Sequence, residues 1–188
     1  MCDVPVFYAT TEGQTRRIAD YLATSLRNLG LVGTAIEIGS AEAAVVDWAR
    51  VKAVAVGASV HGGKHQRQAA AFVSRHLVRL NARPSVFFSV SLSIRSSIPR
   101  EVDAARAVAE AFPREVGWEP RRVVCLAGRL AYLQYGWLKR FIMRRIAAKS
   151  GGPIDTSRDY EFTDWAEVRS VAADVARMVP RCSTAAIA

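Results

Sequence analysis

The loop Thr10-Thr11-Glu12-Gly13-Gln14-Thr15 carries three hydroxyls and a glycine immediately before a stretch with helical periodicity. Hydroxyls donate to phosphate oxygens, glycine lets the backbone approach, and a helix start offers free N–H groups, so this spacing suits a terminal phosphate. The same residue types also serve as N-caps and turn formers, and that reading stands beside the first. Glu12 is the odd member. A carboxylate repels a phosphate unless its side chain turns away, so its backbone N–H is the part expected to serve. Two other nucleotide fingerprints fail. No GxGxxG follows the first apolar run, where Gly13 stands alone, and Ala58 to His65 imitates a Walker A loop but starts with Ala and ends with His where a Mg²⁺-binding Ser or Thr is needed.

The elements that must hold this loop follow from the alternation of apolar runs and helical stripes. Val4 to Ala9 reads as a buried strand, and the helix after the loop sets Ile18, Leu22 and Leu26 on one face, closing at Gly30 and Gly33. Thr34 to Ile38 is a second strand, followed by the alanine-rich segment Ala41 to Arg50. Lys52 to Gly57 is a third strand, running into a glycine-punctuated loop from Ala58 to His65. Gln66 to Leu80 is helical, with His76 on the apolar stripe in a structural role. Pro84 to Val90 is a fourth strand, Pro99 to Phe112 a helix, and Arg122 to Ala127 a fifth strand. A last helix is expected to start at Thr163 as N-cap and to run to about Met178. Continuous apolar strands between amphipathic helices predict an α/β fold with a doubly wound parallel sheet. For five strands the flavodoxin-like order 2-1-3-4-5 is the economical choice, with ligands beyond the carboxyl ends of the strands.

The chain has 188 residues, enough for one core, and residues 1–180 read as a single domain with a tail at 181–188. Its three cysteines, Cys2, Cys125 and Cys182, are too far apart for a disulfide framework or a CxxC motif, which suits a reducing cytoplasm. Cys125 falls in a buried strand and is expected to be inert. No metal site is expected. The formal charge is +9, and eight of the 26 basic residues lie between Glu119 and Asp155, a stretch with no acid, leaving 18 against 17 acidic residues elsewhere. The excess is regional and calls for one anionic partner surface. Most of it sits in residues 129–158, which read as an insertion after the fifth strand.

Further segments appear in order: Gly57-Ala58-Ser59, Phe88-Ser89-Val90-Ser91-Leu92, Ala127-Gly128-Arg129-Leu130-Ala131-Tyr132, Ser150 to Thr156, and Tyr160 to Trp165. With the first loop, which is similar to a flavodoxin phosphate loop, the set resembles the menaquinone-dependent protoporphyrinogen dehydrogenase family of bacterial haem synthesis, flavodoxin-fold FMN enzymes. The resemblance runs from Val6 to about Met178. It implies FMN, with the phosphate on Thr10, Thr11, Glu12, Gly13, Gln14 and Thr15. It places the flavin ring between the loop holding Ser59, Val60, His61, Gly62 and His65 and the loop holding Ser89, Val90, Ser91, Leu92 and Ser93, which extends to Arg95. The chemistry then belongs to the flavin, and no side chain is singled out as catalytic. His61 and His65 either meet the flavin edge or a substrate carboxylate, or are solvated loop residues. The family commonly has Asn at Ser91 and a Tyr in the loop that here holds the two histidines.

The insertion interleaves aromatic and basic residues. Trp137, Leu138, Phe141, Ile142 and Ile146 share a broad helical face interrupted by Arg145, with Lys139, Arg140 and Arg144 nearby. Such a helix sinks its apolar face into lipid while its cations meet anionic head groups, with Trp137, Lys139, Arg140, Phe141, Arg144 and Arg145 as the contact residues. The alternative is a basic helix packed on its own sheet with snorkelling arginines. Nucleic acid is a further possible anion, but no recognised binding motif supports it. The reading that follows is oxidation of protoporphyrinogen IX with menaquinone as acceptor by a cytoplasmic protein held peripherally on the membrane's inner face. A flavodoxin-type electron carrier and a flavin-free interaction module are the alternatives. Carriers are typically acidic, and the +9 charge argues against that role.

Overall fold

The computed structural model describes residues 3–180; Cys2, Cys182 and the tail at 181–188 lie outside them. Strand β1 (Asp3–Ala9) leads through the threonine loop into α1 (Gln14–Asn28). β2 (Val32–Glu37), the short α2 (Ala41–Ala44), β3 (Val54–His61), β4 (Lys64–His65) and α3 (Arg67–Asn81) follow. Then come β5 (Ser85–Ser91), a 3₁₀ turn at Leu92–Arg95, α4 (Pro99–Glu115) and β6 (Arg122–Ala127). The parallel sheet runs β2-β1-β3-β5-β6, the expected order once the small antiparallel arm β4 is counted apart.

Period-two alternation in the strands sends side chains to both faces. Val4, Val6 and Tyr8 of β1, with Val86 and Phe88 of β5, meet Ile18, Leu22 and Leu26 of α1 and the apolar stripe of α6 (Trp165–Met178). Phe7, Val54, Val56 and Phe87 point the other way, to Ala69, Phe72 and Val73 of α3 and to Phe112 of α4. Each fully buried Ile, Leu or Phe contributes roughly 1.5–3 kcal/mol relative to exposure. Both faces are thus covered, which leaves the carboxyl ends of the strands as the open edge.

The structure departs from the sequence reading at four places. β3 does not stop at Gly57. Ala58 and Ser59 pair with Ser89 and Val90, and beyond them Val60 and His61 turn back through Gly62 and Gly63 to pair with His65 and Lys64. Both glycines have positive φ, as a two-residue hairpin turn demands. Gly33 lies inside β2 rather than closing α1. α4 runs through Pro113 to Glu115, because a proline near the end of a helix costs one N–H bond while its φ stays helical. Thr163 is not the cap of α6: its hydroxyl donates to the Ala127 carbonyl at 2.8 Å, and Asp164 accepts from the Ala166 and Glu167 amides instead.

The insertion is pinned at both ends. β7 (Arg129–Leu130) pairs antiparallel with β8 (Tyr160–Glu161), and the Phe162 amide donates to the Gly128 carbonyl. Between these strands α5 (Trp137–Lys149) rests on a satellite core of Leu130, Tyr132, Tyr135 and Ala147.

Candidate cofactor and substrate site

A cavity of about 670 Å³ opens at the carboxyl edge of the sheet, between the loops after β1, β3 and β5 and the insertion. Its first wall is the threonine loop. Gly13, at φ +82°, turns the chain into α1, and its amide donates to Thr10 Oγ1 at 3.0 Å. The first turn of α1 has no capping side chain and no acid, so its free amides and positive dipole end are uncompensated. α6 shows the contrast, with Asp164 as cap and Glu167 in its first turn. Among the described residues, Thr15 Oγ1 is buried without a hydrogen-bond partner. A buried orphan hydroxyl beside an uncapped helix start is a site for an anion.

The Glu12 side chain points to the insertion, whose Tyr135 and Lys139 line the cavity with it. Its carboxylate accepts from Lys139 Nζ at 2.5 Å and from the Tyr135 hydroxyl at 2.8 Å, both in the insertion. Burial, then the bond to Glu12, raises the Tyr135 pKa, so the phenol remains a donor. Arg129 lines the same wall: it donates to the Glu12 carbonyl at 3.3 Å, pairs with Asp159 at 3.6 Å, and keeps a buried Nε without a partner among the described residues. The Gln14 side chain leaves the loop and donates to Thr163 Oγ1 at 2.9 Å, while Arg17 pairs with Glu161 of β8 at 2.7 Å. The loop is therefore tied to both ends of the insertion.

The second wall is the hairpin tip, where Ser59, Val60, His61 and Gly62 reach the cavity. Gln66 bonds Ser59 Oγ and also donates to Thr11 Oγ1 at 3.3 Å, bridging the first two loops. The third wall is Val90, Ser91, Leu92 and Ser93, with Ser91 Oγ accepting from the Ser93 amide and shaping the 3₁₀ turn. Thr11, Gly13, His65 and Ser89 do not line the cavity. His65 faces inward, edge-on to Phe87 and tilted against Phe112, with Nε2 2.9 Å from Ser89 Oγ. Burial pushes its pKa down to about 4, so it is neutral near pH 7 and braces two loops from behind.

Sequence reasoning assigned no site role to Arg129, Tyr135 or Gln66, and placed Arg95 only as the end of the second ring loop. Arg129 stood in view as the second residue after a strand end, where ligands of such sheets bind; Tyr135 and Gln66 have no positional signal of their own. Cys125 is half-buried, with its thiol pKa raised by burial, in keeping with an inert thiol. His76 rests against Trp48 and Phe72, a structural setting. In the insertion, Trp137, Leu138, Phe141, Ile142 and Ile146 are exposed together, with Arg144 and Arg145 exposed beside them. Lys139 and Arg140 are used internally, the first by Glu12 and the second by the Tyr132 and Tyr135 carbonyls at 3.0 and 3.2 Å. No helix of the described residues is long and apolar enough to cross a membrane.

Residues 5–157 match the flavodoxin domain family. The chain is 34% identical over 176 residues to the protoporphyrinogen IX dehydrogenase [quinone] of Escherichia coli K12, covering 94% of this chain and 96% of that protein. The chain belongs to the protoporphyrinogen IX dehydrogenase family, a family of oxidoreductases. A relative of the same name from Leishmania major is 30% identical over 174 residues, covering 92% of this chain and 74% of that one. Among solved structures, flavodoxin 1 of Bacillus cereus aligns over 95% of this chain and 99% of its own at a TM-score of 0.55 and 14% identity. An NADH:FMN oxidoreductase aligns over 97% and 92% at 0.58 and 8% identity, so both speak for the fold alone. The cofactor of a flavodoxin domain is FMN, and the residues of this family member fit it: the orphan Thr15 hydroxyl and the uncapped start of α1 suit the phosphate, and the two loops beyond leave room for a flat ring.

Proposed function

We propose that the protein oxidises protoporphyrinogen IX to protoporphyrin IX with menaquinone as electron acceptor, as a step of haem synthesis, while seated peripherally on the inner face of the cell membrane. The observation that carries this reading is one continuous cavity bounded by the phosphate loop, the two ring loops and a basic insertion that leaves an apolar helix face unburied. When bound, FMN supplies the electron-accepting ring that no side chain here replaces. Thr10, Thr15 and the free amides at the start of α1 would hold its phosphate, with Gly13 turning the chain into that helix. Ser59 to Gly62 and Val90 to Ser93 set the position of the ring and keep water from its faces. Arg95, exposed at the cavity rim and without an ion pair among the described residues, faces the carboxylates that a porphyrinogen carries.

The membrane part rests on the composition of α5. Trp137 is 82% exposed, and with Phe141 and Ile142 it forms an apolar patch flanked by Arg144, Arg145 and Lys149. Such a helix lies in the head-group plane. A quinone dissolved in the bilayer then meets the protein where it docks.

The FMN-loaded chain is expected to form protoporphyrin anaerobically while reducing three menaquinone equivalents per tetrapyrrole, because aromatisation removes six electrons. A chain that accepts electrons from a flavodoxin reductase, yet shows no porphyrinogen-dependent quinone reduction, is instead a carrier.

A further inference from the structure

Resting on that function, we propose that the groove between α4 and α5 takes the polyprenyl chain of the lipid-borne quinone and leads its head group to the loops after β3 and β5. The cavity does not end at those loops. It continues along α4, where Ala104, Ala105 and Val108 form one wall, and along α5, where Met143, Ile146 and Ala147 form the other. Apart from the weakly accepting Met143 thioether, these side chains carry no hydrogen-bonding group. A hydrocarbon chain is the ligand they desolvate without leaving a donor or acceptor unmet.

Charge separates this occupant from the porphyrinogen. The cations that line the cavity gather at its loop end: Arg95 closes the turn after β5, while Arg129 and Lys139 lie against Glu12. Carboxylates belong there. The acid at the α4 end, Glu101, is already engaged. Ser96 Oγ donates to it at 2.6 Å and Ser150 Oγ at 2.8 Å, bonds that hold its carboxyl below the usual range. Ser150 follows the last residue of α5, so this polar knot also fixes the end of α5 to the start of α4 and keeps the groove's walls in place.

Continuity supplies the route. Ile146 lines the groove and is also 50% exposed, on the apolar face it shares with Phe141 and Ile142. The lip of the groove is therefore the face proposed to rest on lipid. An apolar chain entering across that lip passes from bilayer to protein without crossing water, which avoids the cost of exposing each CH₂.

The test uses Ala104→Trp, which fills the groove from an exposed position on α4, and Val108→Phe, one turn further along the same face. FMN-loaded full-length protein is assayed with protoporphyrinogen as donor. The acceptor is either menaquinone with its full polyprenyl chain in anionic vesicles or menadione, the same head group without the chain. The expected result is a KM for the long-chain quinone raised about ten-fold, with the menadione KM, FMN affinity and vesicle co-sedimentation within about two-fold of the parent. Equal loss with both quinones, or a raised KM for porphyrinogen instead, overturns the proposal and assigns the groove to the tetrapyrrole or the head group. Unchanged kinetics in both variants, or a matching loss of co-sedimentation, overturns it too. If the parent chain turns over with neither quinone, the function itself fails and the groove assignment falls with it.

Discussion

The two sides of the cavity are unfinished in opposite ways. The loop after β1 leaves polar groups unmet: among the described residues Thr15 Oγ1 is buried without a partner, and no side chain caps the start of α1. The insertion leaves apolar groups unmet, with Trp137, Phe141, Ile142 and Ile146 facing outward. Ordinary folding satisfies both kinds of group, so each lapse marks a surface completed by something else, an anion in one case and an apolar phase in the other. Glu12 joins them, since it belongs to the loop but spends its carboxylate on Tyr135 and Lys139 of the insertion.

The largest effect should come from breaking the loop side alone. Gly13→Val with Thr15→Val removes a donor to a charged group and strains a left-handed backbone position, so FMN affinity should fall by about 100-fold or more. Riboflavin, which lacks the phosphate, should bind the variant and the parent alike in a fluorescence titration. An equal loss of riboflavin would show that the cavity, rather than its anion site, had failed.

The insertion side should break independently. Changing Arg144, Arg145 and Lys149 to Gln avoids Lys139 and Arg140, which hold the insertion together, and removes about 1 kcal/mol per charge near an anionic surface. Binding to anionic vesicles should fall by roughly 100-fold with FMN affinity unchanged. Trp137→Ser with Phe141→Ser should lower binding to neutral and anionic vesicles alike. Co-sedimentation that ignores both sets of changes would remove the membrane from the account.

A third measurement probes what braces the ring loops. The folded-state pKa of His65 is about 4, below its ordinary 6.5, so its contribution to stability is present above pH 6.5 and is lost as pH falls from there through 4. The loss should reach about 2 kcal/mol, after a discount for the partial exposure of the ring. His65→Gln keeps a hydrogen-bonding partner for Ser89 but does not titrate, so its urea midpoint should fall less between pH 7 and pH 4.5. Parallel acid limbs for the two proteins would mean that His65 is not the titrating brace.

The smallest effect lies at the joint. Glu12→Gln removes a carboxylate from the phosphate's neighbourhood and releases Lys139, whose exposed pair is worth at most about 1 kcal/mol. FMN affinity should rise about two- to five-fold at low salt, and that gain should shrink as salt is added. Amide exchange in α5 should quicken. A drop in FMN affinity would show that Glu12 serves the cofactor by holding the insertion in place.

Local sequence was enough for the sheet and the anion loop. Continuous apolar runs buried on both faces in β1 and β5, the stripe of Ile18, Leu22 and Leu26, and a glycine and threonines before a helix are short-range patterns, each written within a few residues. Where the reading failed, the deciding partner was distant in the chain. β3 extends to His61 because β4 folds back on it, and Thr163 gives up capping because the Ala127 carbonyl, 36 residues earlier, takes its hydroxyl. Composition likewise showed that the insertion was basic and aromatic, but not which cations were free. Only the packed chain decided that Lys139 answers Glu12, that Arg140 serves two backbone carbonyls, and that Arg144 and Arg145 remain for solvent or lipid. A helix fixes which residues share a face, whereas the direction of that face is set by what the rest of the molecule packs against it. Here Tyr132, Tyr135 and Leu130 take the side of α5 that holds Ala147 and leave the aromatic side uncovered.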